Sequence, residues 1–383
     1  MVPAPAPEHG ERIPALDGLR GLAVGLVVIG HYFGQVPFPA DSAPLVFLRQ
    51  LTGFFSSGVE LFFVLSGYLI ASILFARGNA ANLGRVFYAR RLCRTLPAYF
   101  LLLAAFFILR NSERLNAAWS APEFEGTVPG WSYLLLIQNV YMAALRNLGP
   151  WWLAVTWSLA VEEQFYAFMP WLVRFTRPGL LLALAAASLV GCPLLRWFFL
   201  YRAANPFAAL YLLPCRMDSL FLGAALAVLC GSPTAREWLR RHRAARRAAL
   251  AVFAVGFFVG PFLLSPLTEI AVTSLPGLGF ALILLDVLLE PGSRLCRLLG
   301  HPALLFLGGV SYFVYLFHLP VLYTVHGLLG ARQPLHFSAD SWLATAASLV
   351  VVLGLGACSR RWLELPFIRL GRRLRYAPRS SSN

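Results

Sequence analysis

Three ionisable side chains, Asp17, Arg20 and His31, lie in residues 13–33, a stretch otherwise apolar enough to cross a lipid bilayer. A charge at membrane depth costs about 3 kcal/mol on insertion scales, so such residues are usually retained for a function. At about 100° per residue, the three side chains fall within roughly 60° of one another around a helix. Arg20 and His31 are about 16 Å apart along the helix axis. A cation and a titratable base on one stripe suit a long anionic ligand whose reactive end reaches the histidine.

A structural interpretation of these residues is the alternative. A buried histidine bonded to a nearby carbonyl oxygen, with an arginine that extends to the membrane interface, would need no ligand. The presence of Asp17 on the same stripe favours a function. Gly18, Gly21 and Gly25 lie on an adjacent face, where small residues let another helix or a ligand approach closely.

The second apolar run opens with GVELFFVLSGY, residues 58–68, which contains four candidate cavity residues: Glu60, Ser66, Gly67 and Tyr68. Glu60 lies near the predicted outer end of this helix and the other three lie within it. Small residues also serve ordinary helix packing, which is an equal alternative for Ser66 and Gly67.

Two arginines in RVFYARRLCRTLP, residues 85–97, are candidate phosphate ligands. Arg91 and Arg94 are three residues apart and therefore share a face of a helix, which we place at the cytoplasmic mouth of the protein. Paired guanidinium groups match phosphate oxygens well. The alternative is that they only mark the end of a membrane span.

The segment WSLAVEEQFY, residues 157–166, places two adjacent carboxylates, Glu162 and Glu163, in an otherwise apolar run. We expect one of them to face a polar cavity and the other to cap a helix or face water. A carboxylate close to His31 would orient the imidazole and stabilise its protonated form.

A last group of polar residues is interpreted mainly as structural. Arg216 and Asp218 in RMDS fit a buried polar network better than a catalytic role. His318 in SYFVYLFHLP is either a second functional base or a bonded structural histidine, and the structural role is favoured.

The composition defines a polytopic membrane protein. The chain has 383 residues, of which 58% are hydrophobic and only 13% charged, and its mean hydropathy is +0.68. This excludes an ordinary soluble globular class. The six cysteines form no C-x-x-C pair, so neither a disulfide framework nor a zinc site is expected. No cleavable signal peptide is predicted, because acidic residues occupy the position of its basic region.

Ten membrane spans can be drawn. A bundle of about ten helices with both termini in the cytoplasm places 23 arginines inside and six outside, as the positive-inside rule prefers. On that topology, the apolar run 131–142 is a re-entrant or interfacial piece of an outer loop. The predicted spans are residues 13–35, 55–76, 95–110, 152–174, 178–200, 208–230, 249–265, 269–289, 303–328 and 341–363.

The predicted organisation is a cytoplasmic segment, 1–12, an integral-membrane domain, 13–365, and a basic cytoplasmic tail, 366–383. The basic runs 236–247 and 369–379 are interpreted as anchors that contact anionic lipid headgroups. Nucleic-acid binding is not expected, because no nucleic-acid-binding module accompanies them.

Together these segments resemble the integral-membrane acyltransferase type 3 family. The motifs that carry the resemblance occur in the family's order along nearly the whole chain: Arg20-x10-His31, GVELFFVLSGY, Arg91-x-x-Arg94, WSLAVEEQFY, RMDSLFLGA, SYFVYLFHLP and WLELP. Each motif is loose by itself, but seven in order are specific. The resemblance implies a bundle of about ten membrane helices.

The resemblance also implies an activity. Members transfer an acyl group, acetyl by default, from cytoplasmic acyl-CoA to a sugar hydroxyl of a surface glycan, a lipid-linked precursor or a glycosylated metabolite. By motif, His31 would be the catalytic base. Arg20, Arg91 and Arg94 would bind the donor, and Ser66, Gly67, Tyr68 and Glu162 would line the active site. Asp17, Glu60, Arg216, Asp218 and His318 would support it.

The implied setting is the bacterial inner membrane, with acyl-CoA as co-substrate and no metal. Many relatives carry an additional extracellular hydrolase-like domain, so a separate extracytoplasmic partner is one way to complete the transfer. The chain also departs from some relatives at Val155, where they carry a histidine. A proton-coupled secondary transporter is the main alternative from another class, and a receptor or scaffold is a third. The absence of a visible two-fold repeat counts against a transporter.

Overall fold

The computed structural model describes residues 13–33, 55–110, 127–259, 266–329 and 339–378, and within these the side chains of residues 56 and 257–273 are not described. All regular elements of these ranges are helices, which confirms the all-α class. The predicted segment 1–12 lies outside them.

Seventeen α-helices occur in the described ranges. Pro14 begins the first of them and Asp17 lies in its first turn, two features that favour a helix N-terminus. In chain order the helices are α1 (Pro14–Phe33), α2 (Gly58–Arg77), α3 (Leu83–Leu109), α4 (Gly130–Leu134), α5 (Gln138–Leu145), α6 (Trp151–Ala154), α7 (Thr156–Phe175), α8 (Pro178–Trp197), α9 (Pro206–Tyr211), α10 (Met217–Gly231), α11 (Pro233–Arg241), α12 (Arg243–Val259), α13 (Pro266–Leu289), α14 (Arg294–Leu299), α15 (Pro302–Leu328), α16 (Ala339–Ser359) and α17 (Leu365–Arg373).

Six helical segments of the described ranges are long and apolar enough to cross a bilayer. They are α1, α2, α3, α8 with its π-helical end, α15, and α16 continued into α17. At 1.5 Å per residue, the shortest of them, of 20 residues, spans about 30 Å, the thickness of a hydrocarbon core. A seventh is obtained if α10 and α11, which meet at 100°, form one broken span. The count of ten spans and the cytoplasmic termini stay predictions.

One predicted span is longer in the structure and another is broken. The third predicted span, 95–110, forms the second part of α3, which begins at Leu83 and includes the arginine-rich segment. Arginine is a good helix former, and here a polar cavity accepts its side chains. The sixth span, 208–230, is not one helix: α9 and a short 3-10 turn, Leu213–Cys215, precede α10.

The run 131–142 does not form a continuous span. It is divided between α4, of five residues, and α5, of eight, with Leu136 at φ 56° between them. Neither helix is long enough to cross the membrane. The expectation of a non-spanning segment is confirmed.

Contacts through glycine set the position of α1 against α15. A Cβ added at Gly21 would lie 2.1 Å from the carbonyl oxygen of Leu304, and one at Gly308 would lie 1.9 Å from that of Asp17. Only glycine allows the backbones to approach this closely. This register brings His31, near the end of α1, beside His318 in the central part of α15.

The chain after α17 folds back on the loop between α2 and α3. Ala81 N–H donates to the Ala377 carbonyl at 3.1 Å, and Arg90 Nη2 donates to the Leu374 carbonyl at 2.6 Å. The Arg90 guanidinium also lies over the Tyr376 ring, 4.8 Å from its centroid. Burial raises the pKa of Tyr376 above its ordinary value, so the phenol stays neutral. This end of the bundle, which also carries Arg91, is called the arginine-rich end below.

Candidate active site

A cavity of about 90 Å³ lies among α1, α2, α3, α7 and α15. Its polar lining comes from all five helices and alternates with apolar side chains. The polar residues that line it are Arg20, Ser66, Arg91, Arg94, Thr95, Ser158, Glu162, Tyr166, Ser311, Tyr312 and Tyr315. Such a mixture of an apolar wall and a few convergent polar groups is typical of a small-molecule site.

Three arginines converge on one part of this cavity. Arg20 comes from α1, and Arg91 and Arg94 come from one face of α3. The three guanidinium groups carry like charges and repel one another. The carboxylate of Asp17 accepts a hydrogen bond from Arg20 Nη1 at 3.2 Å. An excess of positive charge therefore faces the cavity, as a polyanionic ligand requires.

Another part of the cavity wall, next to Arg91, is built by α2 and α7. Ser66 Oγ and Tyr166 Oη form a hydrogen bond between the two helices, and the Arg91 guanidinium lies 5.5 Å from the centroid of the Tyr166 ring. Glu162 lies one turn before Tyr166 and lines the same cavity. Of the two adjacent carboxylates, Glu162 is thus the one that faces the cavity, and Glu163 is not among its lining residues.

Tyr315 lies at the boundary between the cavity and a pair of histidines. Its side chain lines the cavity, and its hydroxyl bonds with Ser158 Oγ at 2.5 Å. One helical turn further along α15, the His318 ring centroid is 6.1 Å from that of Tyr315.

His31 and His318 form a hydrogen-bonded pair. Nε2 of His318 lies 3.1 Å from Nδ1 of His31, and the ring centroids are 5.0 Å apart. Nδ1 of His31 also lies 3.0 Å from the Val27 carbonyl. His31 is part-exposed, whereas His318 is fully buried. Among the described residues, the side-chain hydrogen-bond partner of His31 is His318 and not the carboxylate that the sequence suggested.

Three of the predicted supporting residues, Glu60, Arg216 and Asp218, belong to two buried ion pairs. Arg216 bonds with Glu60, whose other oxygen accepts from Ser219. Asp218 accepts from Arg196 Nη2 at 2.8 Å. Each pair joins two helices around α10, consistent with the structural role expected for Arg216 and Asp218.

Eight of the thirteen predicted site residues are not among those that line the cavity: Asp17, His31, Glu60, Gly67, Tyr68, Arg216, Asp218 and His318. Glu60 is held by Arg216, and His31 lies beyond Tyr315. Gly67 lies at a helix crossing, where an added Cβ would be 1.9 Å from the Leu220 carbonyl oxygen. Tyr68, the residue after it, packs at the edge of a second apolar cluster. Gly67 therefore has the packing role that the sequence left open.

Several polar residues of the cavity were not predicted from the sequence. Ser158 and Tyr166 lie four residues before and after the predicted Glu162 on α7, and Ser311 and Tyr315 are likewise four residues apart on α15. Polar residues at i, i+4 and i+8 of an apolar helix share one face, so this spacing was the available signal. Arg196, the partner of Asp218, was not among the predicted site residues.

A family model described as an acyltransferase domain, Acyl_transf_3, matches residues 13–360. The chain belongs to this acyltransferase family, as its ordered motifs indicated. The transporter interpretation is not favoured by this membership.

Several curated proteins are similar to the chain. The "Putative peptidoglycan O-acetyltransferase YrhL" of Bacillus subtilis is 31% identical over 82% of this chain and 49% of its own length. A "Putative O-acetyltransferase" of Staphylococcus aureus strain COL is 28% identical over 94% of this chain and 58% of its own. The "Peptidoglycan O-acetyltransferase OatA" of Listeria monocytogenes is 29% identical over 94% and 56%.

The chain thus spans about half the length of the curated relatives it matches. No solved structure matches it.

Proposed function

We propose that the chain is a membrane-bound O-acyltransferase that moves an acyl group, in the simplest case acetyl, from acyl-CoA to a sugar hydroxyl. The observation that supports it most is the convergence of Arg20, Arg91, Arg94 and Glu162 on one cavity, whose wall at Tyr315 borders the His31–His318 pair. Family membership and the printed names of the relatives point to the same chemistry.

The arginine cluster fits the donor. Coenzyme A carries phosphate groups at one end and the thioester at the other, joined by a long pantetheine arm. Guanidinium groups bind phosphate oxygens through charge-assisted hydrogen bonds. In our proposal the phosphates bind at the arginine-rich end and the arm extends through the cavity towards Tyr315. The distance of about 16 Å between Arg20 and His31 along α1 suits this extended arm.

The chemistry requires one base. His31 removes the proton of the acceptor hydroxyl, whose oxygen attacks the thioester carbonyl carbon. The carbon–sulfur bond breaks, the thiolate of coenzyme A leaves, and the proton passes from His31 to that thiolate. An ester and free coenzyme A are the products. A positioned base contributes typically 10²–10⁴-fold to such a reaction, and orientation of the two substrates contributes on the order of 7–11 kcal/mol in the best cases.

We use the arginine distribution to propose which end of the protein faces which side of the membrane. We place the arginine-rich end in the cytoplasm, in accordance with the positive-inside rule, and His31 towards the outer face of a bacterial plasma membrane. The donor then enters from inside, where acyl-CoA is made. The acceptor hydroxyl approaches the His31 end.

The acceptor class we propose is a sugar of the cell envelope. Two of the relatives cited above carry peptidoglycan in their printed names. A cell-wall glycan is therefore the first acceptor to test, before lipid-linked precursors and glycosylated metabolites. The choice needs this test because the chain matches only about half of the length of these relatives.

The test is transfer of radiolabel from [¹⁴C]acetyl-CoA by the purified chain in nanodiscs. Peptidoglycan fragments, lipid-linked precursors and glycosides serve as acceptors, and products are identified by mass spectrometry. We expect release of coenzyme A and an O-acetylated sugar in equal amounts. No acetyl transfer and no thiol release with any acceptor would contradict the proposal, and label that moves across the membrane without a new ester would instead support transport.

A further inference from the structure

His318 is a candidate for a role of its own in the reaction, one that rests on the proposed function. Its ring is fully buried in the centre of α15. Among the described residues, the polar atoms near it are backbone carbonyls of its own helix and Nδ1 of His31. His318 therefore reaches the substrate only through His31.

The hydrogen bonds of His318 define its tautomer. Its Nδ1 lies 2.7 Å from the Tyr315 carbonyl and 3.2 Å from that of Val314. A carbonyl oxygen only accepts hydrogen bonds, so Nδ1 carries the proton. In a neutral imidazole, Nε2 is then an acceptor, and this atom faces His31 at 3.1 Å.

The same argument defines the tautomer of His31. Its Nδ1 faces two acceptors, the Val27 carbonyl at 3.0 Å and Nε2 of His318. Nδ1 therefore carries the proton and shares it between them. Nε2 of His31 then holds the lone pair, and it has no hydrogen-bond partner among the described residues. This nitrogen is the one able to accept a proton from a substrate.

We propose that His318 is a positioning residue that prepares His31 as the base. A neutral imidazole here has the position that a carboxylate has in many catalytic triads: it accepts from Nδ1–H and leaves Nε2 as the base. When His31 takes the proton, the bond from its Nδ1–H to His318 becomes charge-assisted and stabilises the imidazolium. Because His318 is neutral, the stabilisation comes from a hydrogen bond without a second charge in the membrane.

The backbone around the pair holds the two rings in register. Tyr32 Oη donates to the His318 carbonyl at 3.0 Å, next to His31 on α1. Together with the close approach of Gly21 to Leu304, this bond fixes α1 against α15 at both ends of the contact. The packing of α1 against α15 therefore sets the geometry of the hydrogen bond between His31 and His318.

The experiment compares three substitutions of His318 that separate its two hydrogen bonds. His318→Gln places an amide oxygen near the position of Nε2 and keeps an acceptor for His31. His318→Asn is one bond shorter: it can donate to the Tyr315 carbonyl but does not reach His31. His318→Leu removes both bonds. Rates are measured with labelled acetyl-CoA and the acceptor established for the wild type, or as thiol release if donor hydrolysis is the activity found.

We expect kcat to fall about 10- to 100-fold in the Asn and Leu variants, the effect of losing a hydrogen bond to a charged group. The KM for acetyl-CoA should stay within about two-fold, and the Gln variant should recover at least a third of wild-type kcat. In a His31→Ala background, which removes the base, the His318→Asn change should have no further effect on the residual rate.

Two results would overturn the proposal. Recovery of kcat by Asn but not by Gln would show that only the hydrogen bond of His318 to the Tyr315 carbonyl matters. Wild-type kcat in both the Asn and the Leu variants would exclude any role of His318 in the reaction. The melting midpoint of each detergent-solubilised variant checks folding, and should Leu not fold, the Asn and Gln pair decides. An inactive wild type would count against the proposed function, whereas an active wild type with indifferent variants would count only against the role of His318.

Discussion

Nη1 of Arg20 lies 3.2 Å from Oδ1 of Asp17, one turn earlier on α1. The ion pair orients the guanidinium where two further arginines, Arg91 and Arg94, face the same cavity. In our account, Asp17 offsets part of the repulsion among the three cations while the cavity is free of phosphate.

The first prediction concerns donor binding by Arg20. Replacing Arg20 with Ala should raise the KM for acetyl-CoA about 10- to 100-fold, because a charge-assisted hydrogen bond to phosphate contributes about 1.5–3 kcal/mol. Replacing Asp17 with Asn should have a smaller effect in the same direction. Steady-state kinetics over a range of donor concentrations measures both.

Arg241→Ala is the matched control for this series. Arg241 pairs with Glu237 on α11 and its side chain is 75% exposed, so its loss should leave the KM unchanged. An equal rise in KM for the Arg241 and Arg20 variants would show a general charge effect instead of a donor site.

The second prediction separates the two adjacent carboxylates. Glu162 lines the cavity and Glu163 does not. Glu162→Gln should lower kcat/KM by more than 10-fold, since it removes the carboxylate that lines the cavity together with the three arginines. Glu163→Gln should lower it by less than about three-fold. A larger loss for Glu163 than for Glu162 would contradict the assignment.

The third prediction tests the contact that sets α1 against α15. Gly21→Ala should lower the melting midpoint, because overpacking against the Leu304 backbone costs about 1–3 kcal/mol. Activity should fall with it, since the same contact aligns His31 with His318. Differential scanning fluorimetry in detergent and the acetyl-transfer assay measure the two effects.

Gly25→Ala on the same helix is the control. An added Cβ there meets nothing within 4 Å, and alanine is the better helix former. We expect the midpoint to stay or rise slightly. Equal destabilisation by the two changes would mean that the close contact at Gly21 does not decide the position of α1.

The fourth prediction concerns the buried pair of Glu60 and Arg216, which joins α2 to the start of α10. Breaking it with Glu60→Gln or Arg216→Met should destabilise the protein by about 3–5 kcal/mol, because one charge is left buried without its partner. The double substitution Glu60→Met with Arg216→Met should recover most of the loss in melting midpoint. Additive losses in the double variant would contradict this.

The sequence predicted the charged members of the cavity but not its whole wall. Arg20, Arg91, Arg94 and Glu162 were found because a charge in an apolar run is conspicuous. Serine and tyrosine are less conspicuous in an apolar run. Their spacing of four residues on α7 and α15 nevertheless indicated that they share one face of each helix.

The partners of the polar residues could not be predicted from spacing. Asp218 pairs with Arg196, 22 residues away, and His31 with His318, 287 residues away. These pairs depend on which helices pack together, and that depends on close backbone contacts at glycines. The break before α10 could not be predicted either, because it also depends on contacts with other segments. Arg216 lies at the start of α10, where it bonds with Glu60 and with the Leu210 carbonyl.

The most direct test of the account is the His31→Gly variant in nanodiscs with labelled acetyl-CoA, with and without added imidazole. We predict loss of acetyl transfer by at least 100-fold, an unchanged affinity for coenzyme A in a binding assay, and partial recovery of transfer when imidazole fills the space of the missing ring. Transfer at the wild-type rate without imidazole would contradict the claim that His31 is the base.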